Sequence, residues 1–245
     1  MNSYIDIHSH ILPQIDDGAD SFETSMKMLH IAWKNGIGAI ILTPHNKPMR
    51  HNASPATIQK LIKKLEEEAL HRGIEIRLYA GNEVYYRSDI LETLEEMRAC
   101  TMAGSSYVLV EFGPMDDFDY IKGGIYRVLS GGYRPIIAHI ERYRSICTKE
   151  ERVEELIEMG CYVQVNAGSI MGQYGFGAKH FTRRLLKQDM VHFIATDAHN
   201  ADKRKPELEN CVRYICRKYS EAYASKLVYE NPVQVIRNVY ILGEK

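Results

Sequence analysis

The sequence predicts an α/β fold: a parallel sheet with helices packed outside it. Two observations carry this reading. Short runs rich in aliphatic and β-branched residues alternate with amphipathic helical stretches about seven times along the chain. The 245 residues are long for one ordinary domain but normal for one α/β barrel, and a chain of this size buries a large core without disulfides or structural metal. Seven units in this length point to a closed or nearly closed barrel. A doubly wound open sheet is the competing architecture, and composition does not separate the two. No linker, repeat or low-complexity segment divides the chain, so one domain is expected over residues 1–245.

The elements follow in order. Tyr4 to Asp6 begins the first strand. Ser21 to Asn35 reads as a helix, with Met28, Leu29, Ala32 and Trp33 as its apolar face and Gly36 as its stop. Ala39 to Leu42 is a buried strand in type. Pro55 to Arg72 is a charged amphipathic helix ended by Gly73, and Ile74 to Ala80 is the next strand. A shorter helix around Leu91 to Arg98 precedes a strand over Tyr107 to Phe112. Helices at Tyr120–Ser130, Lys149–Met159 and Phe181–Lys187 then alternate with strands at Pro135–Ala138, Tyr162–Val165 and His192–Ala195. The remainder, from Pro206, is mostly helical in pattern.

Composition narrows the setting. The formal charge is −1, unlike a strongly basic binder of nucleic acid or membrane. The N-terminus has no basic region followed by an apolar run, and no apolar stretch reaches the roughly 18 residues of a membrane helix. Five cysteines without framework spacing read as reduced thiols in a cytoplasmic protein.

The informative feature is what ends each strand. His8 and His10 follow the first, His45 the second and Glu83 the third; Glu111 ends the fourth, His139 the fifth, and Asp197 and His199 follow the last. In a parallel barrel the carboxyl ends of the strands share one face, so these residues converge there. Singly, a histidine at a strand end is most often an ordinary satisfied polar group. His8-Ser9-His10 is a stronger signal, because residues i and i+2 of a strand point to one side and two imidazoles there can chelate one ion. Asp197-Ala198-His199 repeats that spacing, and Glu111 after four apolar residues is costly to bury alone. Asp16-Asp17-Gly18 adds an acidic candidate, with Asp17 preferred as ligand and Asp16 as turn cap. With Asp17 the candidates number nine, too many for one ion and fitting two or three divalent ions. Mixed imidazole and carboxylate donors suit manganese, iron or zinc, with manganese taken first.

His8-Ser9-His10, Thr43-Pro44-His45, Gly81-Asn82-Glu83, His139 and Asp197-Ala198-His199 together resemble the polymerase and histidinol phosphatase (PHP) superfamily. The resemblance implies a distorted seven-stranded barrel holding up to three metals at the carboxyl ends of its strands. Within that superfamily the chain looks like the bacterial metal-dependent protein-tyrosine phosphatases of capsule and exopolysaccharide operons. That closer likeness rests on Ile5 to His10, Asp16-Asp17-Gly18, Ala138 to Tyr143, and Asp197 to Asp202 with Arg204, and it runs to about Leu208. The loop Asn46-Lys47-Pro48 and the stretch from Glu209 to Lys245 lie outside the match. The resemblance implies a phosphorylated bacterial tyrosine kinase tail as partner, and regulation of extracellular polysaccharide assembly.

The implied chemistry is hydrolysis of a phosphomonoester by water activated on clustered metals. Arg142, three residues past His139, and Arg204, five past His199, can reach over such a cluster, and a guanidinium fork pairs with two phosphate oxygens. An ordinary ion pair with Glu141 or Asp202 is the plain alternative; the resemblance makes the two arginines the phosphate binders. Tyr85-Tyr86 is as well explained by packing as by contact with an aromatic substrate. Cys211 and Arg217 have cysteine-phosphatase spacing, but the residues between them carry no glycine and read as helix, so they are set aside. The rival readings are a small-metabolite phosphatase such as a histidinol phosphatase, a phosphodiesterase or nuclease on the same metals, and a metal-holding protein without turnover.

Overall fold

The computed structural model describes residues 4–241. Residues 1–3 and 242–245, part of the expected domain 1–245, lie outside the described residues. Nine strand segments form the framework: β1 (Tyr4–Ser9), β2 (Ile37–Leu42), β3 (His45–Asn46), β4 (Arg77–Ala80), β5 (Glu83–Tyr85), β6 (Tyr107–Glu111), β7 (Arg134–Ile137), β8 (Tyr162–Asn166) and β9 (Phe193–Ala195). Every described pairing is parallel, in the orders β1-β2-β4 and β3-β5-β6-β7-β8-β9. The sheets curl, and Ser9 of β1 bridges Ala198 just past β9. The structure thus contains a curled parallel α/β sheet rather than an open doubly wound one.

The expected count of seven strands becomes nine segments for a local reason. The ladder is interrupted at Thr43-Pro44, between β2 and β3, and at Gly81-Asn82, between β4 and β5. Pro44 has no N–H to donate. Across the gap Gly81 N donates to Leu42 O at 2.9 Å, Glu83 N to Pro44 O at 3.2 Å and Asn82 Nδ2 to Pro44 O at 2.8 Å. A side-chain amide therefore replaces a ladder bond at the point where the chain bends to present His45 and Glu83.

Alternation sorts the side chains. Val108 and Val110 of β6, Val163 and Val165 of β8 and Ile194 of β9 face outward into the larger apolar cluster, under the helices. Tyr107 and Leu109, Ile136 and Ala138, and Tyr162 and Phe193 face inward, with Ile5, Ile7 and Ile41. The inward positions change character along each strand: Tyr107 and Leu109 lead to Glu111, and Tyr162 leads to the buried polar Gln164 and Asn166. The interior is apolar toward the strand starts and polar toward their carboxyl ends.

A bulge in β1 makes this possible. Asp6 pairs with Ile40 and Ser9 with Leu42, so β1 uses three steps where β2 uses two. Strict alternation would send His8 outward after the inward Ile7. The extra residue turns it in, a known use of bulges beside functional sites.

Helices Phe22–Lys34, Pro55–His71, Phe118–Ser130, Glu150–Glu158 and Phe176–Lys187 lie close to the expected spans. Ser21 and Ser54 cap the first two, accepting from Thr24 N and Thr57 N, and Pro55 begins the second where its missing N–H costs nothing. The last of these helices starts earlier than expected, and a short helix over Ala167–Met171 was not anticipated; it carries no clear amphipathic repeat. The helix expected over Leu91–Arg98 is Ile90–Glu95, and the strand expected from Ile74 begins at Arg77. The C-terminal stretch closes the apolar end of the interior: Val235 and Ile241 pack there, and Tyr107 Oη donates to Val239 O at 2.9 Å.

The seam between β1 and β9 hangs on buried Asp6. Its carboxylate accepts from Thr196 N at 3.0 Å, Thr196 Oγ1 and His8 N at 3.3 Å. Asp6→Ala strands these donors and is expected to cost about 3 kcal/mol in urea unfolding; a loss below about 0.5 kcal/mol would show that the seam does not depend on it.

Candidate metal centre

The polar end of the interior gathers nine residues from seven stretches of chain. Their donor atoms form four groups, each with atoms within 4.8 Å of one another: His10, Asp17, His45 and His199; His8, His10 and Asp197; His8, Glu83 and His139; His45, Glu83 and Glu111. Every metal-ligand candidate read from the sequence falls in at least one group. His8, His10, His45 and Glu83 each serve two, so the groups adjoin.

The histidines are aimed from behind. His8 Nδ1 lies 3.1 Å from Gln164 Oε1, an atom that also accepts from His139 N at 2.8 Å. His10 Nδ1 lies 2.7 Å from Asp16 Oδ2, and His199 Nδ1 lies 3.0 Å from the Asp197 carbonyl oxygen. Each partner can only accept, so Nδ1 carries the proton and the Nε2 lone pair is left facing inward. Such outer partners fix tautomer and ring orientation in metal-binding histidines. His8 Nε2 and His10 Nε2 are 3.2 Å apart, two ring nitrogens directed at one place.

Asp16 and Asp17 divide their work. Asp16 accepts from His10 Nδ1, from His45 N at 2.9 Å and from Gly18 N at 3.0 Å, which occupies both its oxygens. Asp17 projects from the same turn with Oδ1 3.4 Å from His45 Nε2 and 3.5 Å from His199 Nε2. Two ligand candidates also hold left-handed backbone, His139 at φ 31° and Asp197 at φ 51°. Non-glycine residues keep such conformations only where the surroundings enforce them.

Asp197 joins two sets of groups. Its Oδ1 faces His8 Nε2 at 3.6 Å, His10 Nε2 at 3.5 Å and His199 Nδ1 at 3.5 Å. Its Oδ2 accepts from Arg142 Nη2 at 2.8 Å, Arg204 Nη2 at 2.7 Å and Asn166 Nδ2 at 2.9 Å. Both arginines anticipated as anion binders therefore converge on the far oxygen of one ligand candidate.

The electrostatics ask for cations. Burial opposes ionisation of Glu83 and Asp197, yet the surrounding imidazoles, and for Asp197 also Arg142, hold both carboxyls well below the usual range. Burial likewise opposes a charged His45, but Asp17 and Glu83 outweigh it and raise the imidazole to about 9. His199 is lowered by burial and stays a neutral donor. His45 Nδ1 and Glu83 Oε2 lie 2.7 Å apart as an ion pair without hydrogen-bond geometry, and Glu111 Oε2 likewise has only ion-pair contacts. Lys47 Nζ sits 2.9 Å from Glu111 Oε2 and 3.2 Å from His45 Nε2, an ammonium standing among ligand-type atoms. Buried polar atoms without a hydrogen bond, converging ring nitrogens and a mixed oxygen and nitrogen set fit bound divalent cations.

Several supporting residues escaped the sequence reading. Gln164 was legible as an amide inside an apolar run; Asn166, Asp6, Thr196 and Lys47 carried no comparable signal. Tyr86 is buried against Phe112, with ring centroids 5.1 Å apart, so it packs rather than lining the site. Cys211 is buried in the helix Glu209–Lys218, and burial pushes its thiol up to about 12, which makes it a poor nucleophile. The centre opens to solvent through a cavity of about 360 Å³ lined by Asp17, His45, Lys47 and Arg50.

Residues 4–237 match the family described as capsular polysaccharide synthesis, CpsB/CapC. The chain is 36% identical to tyrosine-protein phosphatase CpsB of Streptococcus agalactiae serotype III, over 97% of this chain and 100% of that protein. It is 31% identical to tyrosine-protein phosphatase YwqE of Bacillus subtilis, over 98% and 94% of the two chains. A solved structure from the pair YwqE of Bacillus subtilis and CpsB of Streptococcus pneumoniae, described as unique metal-dependent tyrosine phosphatases, superposes with a TM-score of 0.91 at 29% identity. That match covers 97% of this chain and 96% of the other.

A Cβ on Gly18 would fall 2.0 Å from the His10 carbonyl oxygen, so any side chain there forces the Asp16-Asp17 turn away from the histidines. Gly18→Ala is expected to weaken manganese binding by about 10- to 100-fold in calorimetric titration, the scale of outer-shell changes. Unaltered affinity would mean that the turn plays no part in cation binding.

Proposed function

The chain belongs to the CpsB/CapC capsular polysaccharide synthesis family, and from that membership we propose that it is a metal-dependent protein-tyrosine phosphatase. The observation that carries the proposal is the double engagement of Asp197, with histidines on one oxygen and two arginines on the other. A purely structural ion cluster has no use for paired guanidinium groups at its edge.

In this reading His8, His10, Asp17, His45, Glu83, Glu111, His139, Asp197 and His199 hold two or three divalent ions, manganese first among the candidates. When bound, such ions supply a water of lowered pKa and neutralise charge on the phosphoryl oxygens. Arg142 and Arg204 bind the substrate phosphate. Asp197 orients both guanidinium groups, and their remaining N–H donors stay available to phosphate oxygens. Gln164 and Asp16 keep His8 and His10 in one tautomer. The leaving group is a phenolate, whose conjugate acid has a pKa of about 10, so departure needs less help from a general acid than an alkoxide does.

The remaining features follow the same reading. Counting β2 with β3 and β4 with β5 as two interrupted strands gives the seven of a distorted PHP-type barrel in one domain. The substrate is a tyrosine-phosphorylated tail of a kinase controlling capsular or exopolysaccharide assembly, met in the cytoplasm. No described helix is long and apolar enough to cross a membrane.

The deciding experiment measures phosphate release with added manganese or with chelator, from a phosphotyrosine peptide, histidinol phosphate and a bis-aryl phosphodiester. Manganese-dependent release from the peptide, with little from the others, is expected. A preference for either of the others would keep the metal site and overturn the substrate. Arg142→Ala is expected to lower kcat by about 10²- to 10³-fold with bound manganese nearly unchanged, the scale for loss of a positioned transition-state donor; full activity would remove the arginine from the phosphate site. Cys211→Ser is expected to keep wild-type kcat/KM, and a folded but inactive variant would restore the thiol as nucleophile.

A further inference from the structure

A second and larger cavity, of about 630 Å³, adjoins the centre through Arg204. It lies between the segment after β8, the loop after β9 and the helix Glu209–Lys218. Its lining carries five cationic side chains, Lys203, Arg204, Lys205, Arg213 and Arg217, against two carboxylates. Of those acids, Glu207 is 3.9 Å from Lys205, and Asp202 forms no ion pair among the described residues. Arg213 pairs with Glu209, while Lys203 and Arg217 have no carboxylate partner among the described residues. The surplus is positive in a chain whose formal total is −1.

The cavity is also joined to the arginines by an aromatic wall. Tyr174 lines it and lies 5.5 Å beneath the Arg142 guanidinium. Arg204 reaches Asp197 with Nη2 while its own residue lines the cavity, so the phosphate-binding edge and the cavity mouth are one surface. A free phosphate or a small aryl phosphate needs nothing beyond the arginines and the metal ligands. A polypeptide continues past its phosphotyrosine at about 3.3 Å per residue, so a flank directed past Arg204 would carry its next few side chains toward this basic cavity.

We propose that the cavity bounded by Lys203, Arg213 and Arg217 is a docking subsite for an anionic side chain flanking the phosphotyrosine of a polypeptide substrate. The proposal rests on the phosphatase reading. The subsite selects by charge: a carboxylate or a second phosphate fills it, and a neutral flank leaves its cations unpaired. Because these cations are exposed, the contribution falls as salt rises.

The test uses the manganese-loaded full chain and four substrates: para-nitrophenyl phosphate and three phosphotyrosine peptides, flanked by alanines, by glutamates or by a second phosphotyrosine. The anionic flanks are expected to raise kcat/KM about tenfold over alanine, mostly through KM, with the gain shrinking at 0.5 M salt. Arg213→Gln combined with Arg217→Gln is expected to remove most of that gain and leave para-nitrophenyl phosphate hydrolysis within about twofold of wild type. Equal kcat/KM on all three peptides, or a preference that survives the double substitution, overturns the subsite. A gain confined to the doubly phosphorylated peptide assigns it to phosphate; a gain on both anionic peptides assigns it to charge alone. If no substrate turns over, the phosphatase reading fails instead. Fluorescence anisotropy of the same labelled peptides then decides the subsite: tighter binding of the anionic peptides that the double substitution abolishes supports it, and equal binding rejects it.

Discussion

A carboxylate removed from water must be matched by positive charge or be protonated, and in this protein Glu83 and Asp197 impose that demand on their surroundings. Both are almost wholly buried, and both remain ionised because imidazoles and arginines crowd them. Such a cluster is affordable only in a rigid cavity in which each group is held from outside. Asp16, Gln164, Asn166 and the strand-end turns supply that hold. Replacing any of them by an apolar residue would leave a neighbour buried without a partner, which costs more than the hydrogen bond itself.

The curled sheet meets the demand by dividing its interior. Tyr107, Leu109, Ile136 and Phe193 fill the end near the strand starts, and the C-terminal segment closes that end with Val235 and Ile241. The polar cluster rests on this apolar floor and is reached from the opposite mouth. Apart from a register shift at Tyr4-Ile5, at the start of β1, the departures from regular strand geometry lie near the border between the two layers. The bulge in β1 turns His8 inward, the break at Thr43-Pro44 presents His45, Gly81-Asn82 presents Glu83, and left-handed residues follow β7 and β9. A regular ladder would aim alternate residues outward, so the irregularities are what bring ligand candidates from successive strands to one point.

Much of this was legible in the sequence because strands in a parallel sheet share direction. Once His8, His45, Glu83, Glu111, His139 and Asp197 are each assigned to a strand end, their convergence follows without knowledge of loop structure. His8-Ser9-His10, with two imidazoles at i and i+2, was the clearest single case. What stayed hidden depended on pairing across long separations. Asp6 bonds Thr196 across 190 residues, and Asn166 bonds Asp197 from the end of a strand in which only Gln164 breaks the apolar pattern. The two interruptions stayed hidden for a related reason: a broken ladder is a property of two strands together, and Pro44 alone does not reveal that Asn82 bridges the gap.

The arrangement of Arg142 and Arg204 bears on how such a centre handles an incoming phosphate. Both guanidinium groups share Asp197 Oδ2, so each is anchored by a group that is also a ligand candidate. A guanidinium presents five N–H donors in a fixed plane, and engagement of one nitrogen by Asp197 leaves the others free while settling the plane's orientation. Under the proposed function, such anchoring would reduce the entropy lost when phosphate binds. It also couples the two functions: a shift of Asp197 toward its histidine neighbours moves the arginines with it. A lysine in either place would lack the fork and present a single point charge, so the geometry favours arginine at both positions for reasons of shape as well as charge.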